Sequence, residues 1–383
     1  MIGVQEVKEL TRLLADLVAI PSVNPMGRDR NGPEYLEKNV AEYVSNFLNR
    51  QRIDVQVQQV FPGRPNVIGH IEIGARETIL LEAHMDTIPV DNMTIDPFDP
   101  VVKGRKLYGR GSCDTKSSLA AILFAVKEVL KTRRRLTRNV IVAAVSDEEY
   151  GLNGTKALLK QGWKFHYAIV GEPTRLEVIN CHKGVIRWRM STLGKSAHSA
   201  YPQHGVNAIF SMGRLLEALE QHAENLMAAR GHPMLGTATL SVGIIEGGHS
   251  VNAVPNSCTI EIDRRTLPGE TADSVLKKIR RAVPRSVRHS ISKPHLVVPS
   301  LSEKQSWKVV ELLRDAFREN GKNLKVHGAR YVTDASLYAA KGIPSAVFGP
   351  GRIEQAHSEV EYVNLHEVEE AALIHSALLT NSS

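Results

Sequence analysis

The sequence predicts an α/β fold: a mainly parallel, helix-covered sheet interrupted by an inserted α+β domain. Three runs, "TILLEA", "NVIVAAVS" and "YAIV", are almost continuously apolar, as strands buried on both faces must be, and the amphipathic helix "SSLAAILFAVKEVL" lies between the first two. From about Leu176 the pattern changes to strands that alternate apolar and polar residues, and after about Lys293 helices and a buried apolar strand return. Residues 1–176 and 293–383 are therefore expected to form one discontinuous domain, with 177–292 as the insert.

The elements follow in order. Val7, Leu10, Leu14, Leu17 and Val18 recur at helical spacing with charges between them, so the amino terminus reads as an amphipathic helix. After the loop "IPSVNPMGRDRNGPEY", a second helix carries Leu36, Val40, Val44, Phe47 and Leu48 on one face. "IDVQVQQV" alternates strictly and "NVIGHIEIG" nearly so, which predicts half-exposed antiparallel strands. In the insert, "EVINCHKGVIRWRMSTLG", "TATLSVGIIEGG" and "NSCTIEIDRRT" read as strands with one wet face, beside helices over "GVNAIFSMGRLLEALEQHAENL" and "TADSVLKKIRRAV". The last segment supplies a helix, "SWKVVELLRDAFREN", an apolar strand, "IPSAVFGPG", and a final helix, "HEVEEAALIHSALL".

Composition narrows the function classes. With 42% hydrophobic and 23% charged residues, the chain is an ordinary globular protein, too long for one core. The net charge of +7 is scattered, its one dense run "KTRRRLTR" reads as a solvated helix end, and aromatics make up only 5%, so no nucleic-acid surface is expected. Cys113, Cys181 and Cys258 are odd in number and far apart, which argues against disulfides and for a reducing compartment. No apolar run approaches the roughly 20 residues that span a bilayer, and a cytoplasmic protein with no membrane partner is expected.

The chemistry gathers where the buried runs end. "TILLEA" is followed by His84 and Asp86, "NVIVAAVS" by Asp147-Glu148-Glu149, and "YAIV" by Gly171-Glu172-Pro173. In an open α/β sheet the carboxyl ends of the strands are where ligands bind. "LYGRGSCDTKSS" adds Asp114 just before a helix, and "GPGRIEQAHSEVEY" adds His357 after a late strand. His84, Asp114, Glu148, Glu149, Glu172 and His357 thus form a candidate cluster. Four buried acids cannot all stay ionised without cations, and mixed His/Asp/Glu ligation favours zinc, or cobalt or manganese, over magnesium. In an extended chain residues two apart share a face, so the Asp86 carboxylate is expected to hold His84 by its second nitrogen.

Taken together and in order, "AHMDTIPV", "LYGRGSCDTKSSLAA", "SDEEYG", "GEPT", "GKSAHSA", "NAVP" and "QAHSEVEYV" resemble the signatures of the dinuclear-zinc amidohydrolases and exopeptidases. That family includes acetylornithine deacetylase, succinyl-diaminopimelate desuccinylase, the aminoacylases and the glutamate carboxypeptidases. The resemblance runs from about Ala19 to the carboxyl terminus. It implies that His84 and Glu172 bind one zinc (or cobalt), that Glu149 and His357 bind the other, and that Asp114 bridges them. Asp86 would fix the tautomer of His84, and Glu148 would be the general base. It further implies a homodimer in which the insert is dimerisation surface and lid, with His198 reaching the oxyanion in the partner subunit's site. Asn252 and Arg265 would contact a small N-acyl amino acid, Arg264 being the neighbour that a one-residue shift of register would exchange for Arg265. The expected activity is like that of acetylornithine deacetylase, on the strength of Cys113 before Asp114 and of "QAHSEVEYV"; desuccinylation of succinyl-diaminopimelate, for which Lys195, Arg187 or Arg330 could supply a further cation, and dipeptidase or carboxypeptidase action are the alternatives. Two departures stand close to the site: Thr115-Lys116-Ser117 where the family has Met-Lys-Gly, and Thr87-Ile88-Pro89 where it has Val-Val-Pro.

Overall fold

The computed structural model describes residues 3–380. The chain divides into two units, one of Met1–Asn180, Glu303–His327 and Thr333–Ser383, the other of Cys181–Ser302 and Gly328–Val332. The first break falls slightly later than Leu176 because Ile179 still pairs with Val347 in the first unit's sheet. The second falls later than residue 293 because Leu296–Val298 pairs with Gly184–Leu193 in the second unit.

The first sheet has eight strands in the order Asp54–Phe61, Arg64–Ile71, Asn139–Val145, Thr78–His84, Tyr167–Val170, Ser345–Val347, Val178–His182 and Val326–Ala329. Its centre is parallel: Thr78–His84 runs with both Asn139–Val145 and Tyr167–Val170, and Tyr167–Val170 with Ser345–Val347. The flanking pair Asp54–Phe61 and Arg64–Ile71 is antiparallel. Only the first of these alternates in burial; Arg64–Ile71 is buried from Arg64 to Gly69, contrary to the half-exposed strand expected from its sequence. The reason is position, since Arg64–Ile71 pairs on its other side with Asn139–Val145 and is an interior strand.

Helices cover this sheet. Lys116–Lys131 is buried at twelve positions, Leu119 to Val126 without a break, and packs between the sheet and the helices Val4–Ala19 and Leu365–Thr380. Val4–Ala19 turns only Leu10, Leu13, Leu14, Leu17 and Val18 inward, the narrower stripe of a surface helix.

The second unit is an antiparallel sheet ordered Thr239–Gly247, Ser257–Thr266, Gly184–Leu193 and His289–Ile291. Ser257–Thr266 alternates strictly, burying Cys258, Ile260, Ile262 and Arg264 and turning Thr259, Glu261, Asp263 and Arg265 outward. Two helices contribute to its core, Ala208–Ala228, capped by the Asn207 side chain on the N–H groups of Ile209 and Phe210, and Ala272–Ala282, capped by Thr271. Among the described residues no helix is long and apolar enough to cross a membrane.

Candidate metal centre

Four of the candidate residues stand where a central strand stops. His84 is the last residue of Thr78–His84, Glu148 and Glu149 follow Asn139–Val145, and Glu172 follows Tyr167–Val170. The strands are parallel neighbours, so their carboxyl ends bring these side chains to one edge. Asp114 arrives in the turn that opens the helix Lys116–Lys131, and His357 in the loop before Tyr362–Asn364.

The side chains converge. His84 Nε2 lies 3.0 Å from Asp114 Oδ1 and 3.9 Å from Glu172 Oε1. His357 Nε2 lies 3.1 Å from Glu149 Oε2 and 3.4 Å from Asp114 Oδ2. Asp114 thus presents one oxygen to each histidine, the arrangement that a bridging ligand needs. Donor atoms of His84, Glu148 and Glu172 fall within 4.8 Å of one another, as do those of His84, Asp114 and Glu149. Glu148 therefore also stands within ligand reach of His84 and Glu172.

Charge in the cluster is out of balance. Burial, then the neighbouring Glu172, pushes the Glu148 carboxyl well above its ordinary range, and burial with the Asp114 charge does the same to Glu172. Glu149 is raised for the same two reasons. Burial would raise Asp114 too, but hydrogen bonds with His357 and His84 hold it low. Burial opposes protonation of the histidines, yet Asp114 and its neighbouring acids raise both, His357 to about 10. A cluster in which imidazoles must protonate and acids must neutralise lacks positive charge. Two divalent cations on a set of two imidazoles and several carboxylates supply it, so the residues present fit a dinuclear centre.

The model of the peptidase family M20/M25/M40 matches residues 80–381. The chain belongs to that family. An acetylornithine deacetylase of Myxococcus xanthus is 32% identical over 304 residues, 76% of this chain and 77% of that protein. One from Proteus mirabilis is 28% identical, covering 96% of this chain and 95% of the other. Among solved structures, a dinuclear metal-binding peptidase of the M20 family from Bacillus subtilis superposes with a TM-score of 0.73 at 18% identity, covering 99% of this chain and 98% of that one. A metallo-carboxypeptidase of the same family from Sulfolobus solfataricus gives 0.79 at 18%, covering 97% and 98%. The protein is accordingly a metal-dependent amide hydrolase of family M20.

Asp86 requires a correction. His84 Nδ1 bonds to the backbone carbonyl of Asp86 at 2.9 Å, while the nearer carboxylate oxygen is 3.7 Å away, beyond hydrogen-bond length. The strand has ended at His84, so the alternation that would bring the carboxylate beside the imidazole no longer holds. The Asp86 carboxylate instead accepts the N–H groups of Glu148 and Glu149, each at 3.1 Å, and the Asn24 amide at 2.8 Å. It fixes the turn that carries the acids.

Several residues with a part in this geometry were not singled out by sequence. Arg64 forks onto Glu37 and reaches Asp147 Oδ1 at 2.6 Å, and Asn24 joins Asp147 to Asp86. Glu361, paired with Arg110, accepts the N–H groups of Cys113 and Asp114. Glu82, in mid-strand behind the cluster, accepts from the Tyr338 hydroxyl and from Thr155. Burial and Asp334 push Glu82 well up, and burial lifts Asp334 to about 6. The available signal was a lone charge inside an apolar or glycine-rich run, as in "TILLEA" and "LYGRGS".

The other expected site residues belong to the second unit. His198 is exposed and forms a bridge with Ala253, while Ser199 N–H donates to Asn252 O at 3.0 Å, so His198 and Asn252 are neighbours. Arg265 lies on the outward face of its strand, paired with Asp263 at 2.7 Å. Arg264 is buried and bound to Glu270 at 2.9 Å.

Proposed function

We propose that the protein removes the acyl group from an N-acyl amino acid, with N-acetylornithine as substrate and zinc as the metal. The carrying observation is the complete donor cluster in a chain that matches proteins named acetylornithine deacetylase over most of its length. In this reading His84 and Glu172 hold one ion, Glu149 and His357 the other, and Asp114 spans both. When bound there, divalent ions would supply Lewis-acid chemistry, polarising the scissile carbonyl and lowering the pKa of water toward neutrality.

The protein's own groups do the rest. Glu148, beside the ligand Glu149 and within reach of His84 and Glu172, is placed to accept the proton of the attacking water and return it to the departing amine nitrogen. Asp86 holds the Glu148–Glu149 turn so that base and ligand keep their spacing. Arg265, planar and half-exposed, suits bidentate capture of the amino-acid carboxylate, with Asn252 as a second contact. His198 donates to the oxyanion of the partner's site in a homodimer. A homodimer through the second unit is supported by its edge strand Thr239–Gly247, where Ile244 and Ile245 are 52% and 54% exposed beside an unpaired ladder. The buried thiols of Cys113, Cys181 and Cys258 suit a reducing, cytoplasmic setting.

The test is amine release from N-acetylornithine, succinyl-diaminopimelate, N-acetylmethionine and a dipeptide, with and without added zinc or cobalt. Metal-dependent release from N-acetylornithine alone supports the assignment, and cleavage of another member in its place overturns it.

A further inference from the structure

Glu361 has no solvent exposure, and among the described residues its hydrogen bonds go to Arg110 and to backbone N–H groups, not to the side chains of the cluster. Four donors converge on it instead. Arg110 Nη1 and Gly111 N–H donate to Oε2 at 2.7 and 3.1 Å; Cys113 and Asp114 N–H donate to Oε1 at 2.9 and 3.0 Å. Three backbone N–H groups point at one spot because the turn passes through Gly111 at φ +81°, a left-handed conformation that L side chains rarely adopt. A Cβ there would also meet Thr87 Cγ2 at 2.8 Å. The acceptor matches this ring of donors in charge as well as shape, and Arg110, 1% exposed, supplies the counter-charge.

The other end of the contact is fixed too. Glu361 leads into Tyr362–Asn364, which pairs with Lys106–Tyr108, and Gly109 N–H donates to Glu361 O at 3.1 Å. Four residues before Glu361 stands His357. We propose that Glu361, with Arg110 as its counter-ion, is a positioning residue of the metal centre: one buried carboxylate locks the loop that presents Asp114 to the segment that presents His357. This rests on the reading of Asp114 and His357 as ligands. A glutamine at 361 keeps the volume but turns an NH₂ group toward Gly111 N–H and Arg110, so half of the acceptor is replaced by a donor facing donors.

The experiment measures zinc affinity, by competition with a chromophoric chelator, on metal-free wild type, Glu361→Gln, Asp114→Asn and the double variant E361Q/R110M. In E361Q the ion that His357 and Asp114 would hold binds about 10–100-fold more weakly, the other, which shares only Asp114 with it, is weakened less, and excess zinc restores kcat with KM unchanged. In E361Q/R110M, which removes the guanidinium left without a partner, the protein folds and the weak site persists. If D114N binds both ions as wild type does, the ligand reading itself fails, whatever E361Q does. With D114N impaired, unchanged affinity in E361Q, equal weakening of both ions, recovery of affinity in the double variant, or failure of both Glu361 variants to fold each overturns the positioning role alone.

Discussion

The two sheets use the same charged residue types in opposite ways. In the second unit the acids of Ser257–Thr266 line the outward face, and each meets an arginine across the ladder: Glu261 with Arg189 at 3.0 Å, Asp263 with Arg187 at 2.8 Å. In the first unit Thr78–His84 and Asn139–Val145 are buried at every position, and of the acids beyond their ends Asp86 and Asp147 are buried while Glu148 and Glu149 are half-buried. Around these strand ends two sets of acids contrast. Glu37 and Glu361 have buried arginines, Arg64 and Arg110; Glu148, Glu149 and Glu172 have none among the described residues. Burial with a counter-ion marks scaffold, withdrawal from solvent beside two imidazoles without a counter-ion marks a site that needs cations, and exposure with a counter-ion marks surface.

The sharpest break between scaffold and site is expected at Glu148. Glu148→Gln keeps the shape and removes the proton acceptor, so kcat falls by about 10²–10⁴-fold. Bound metal, measured by elemental analysis, stays at the wild-type level if, as proposed, Glu148 is base rather than ligand. Loss of an ion from the variant would move Glu148 into the ligand set, beside His84 and Glu172 where the distances also admit it.

Arg64 tests the scaffold. Arg64→Met leaves Glu37 and Asp147 buried without their cation, and removing one partner of a buried pair costs about 3–5 kcal/mol. The urea midpoint of the metal-free protein should drop accordingly. Because Asp147 N–H is bound to Glu37 and the next two N–H groups to Asp86, the turn bearing Glu148 and Glu149 loosens as well.

How much of this was legible in the sequence follows from the same division. The parallel centre was readable because strands buried on both faces must be continuously apolar, and the convergence of histidines and acids because charges stop such runs abruptly. The alternation of Ser257–Thr266 likewise separated Arg264 from Arg265. What stayed hidden was set by partners distant in the chain. Arg64–Ile71 looked half-exposed until its second neighbour, Asn139–Val145, was known. Cys113 and Glu361 are 248 residues apart, and Asp86 meets Glu148 across 62. Asp86 was placed beside His84 by the alternation of an extended chain, and that alternation ended with the strand.

Burial without any partner has its own signature in pH. His375, on the helix Leu365–Thr380, is fully buried against Phe348 with neither ring nitrogen hydrogen-bonded among the described residues, and burial lowers its pKa from 6.5 to about 4. The unfolded chain takes up the proton near pH 6.5, while the native state resists it until about pH 4. The native state is therefore favoured above pH 6.5, and that stability is lost as the pH falls from 6.5 toward 4, by on the order of 3 kcal/mol. In His375→Leu, urea unfolding of the metal-free protein between pH 6.5 and 4 should show a shallower dependence, by up to one proton. An unchanged slope would mean that water or backbone motion solvates the imidazole.

The smallest effect belongs to the surface. Arg189 and Glu261 form the same kind of ion pair as Arg64 and Glu37, but Arg189 is 63% exposed. Solvent and salt screen the pair, and two long side chains lose freedom in making it, so Arg189→Met should cost under about 1 kcal/mol. Measured beside R64M at the same ionic strength, the two variants share a chemical change and differ in burial. Raising salt should shrink the R189M difference and leave that of R64M nearly intact, because mobile ions do not enter the buried network. Equal losses in the two variants would separate cost from burial, and the three-way sorting of charges by which the metal centre stands out from its scaffold would fail with them.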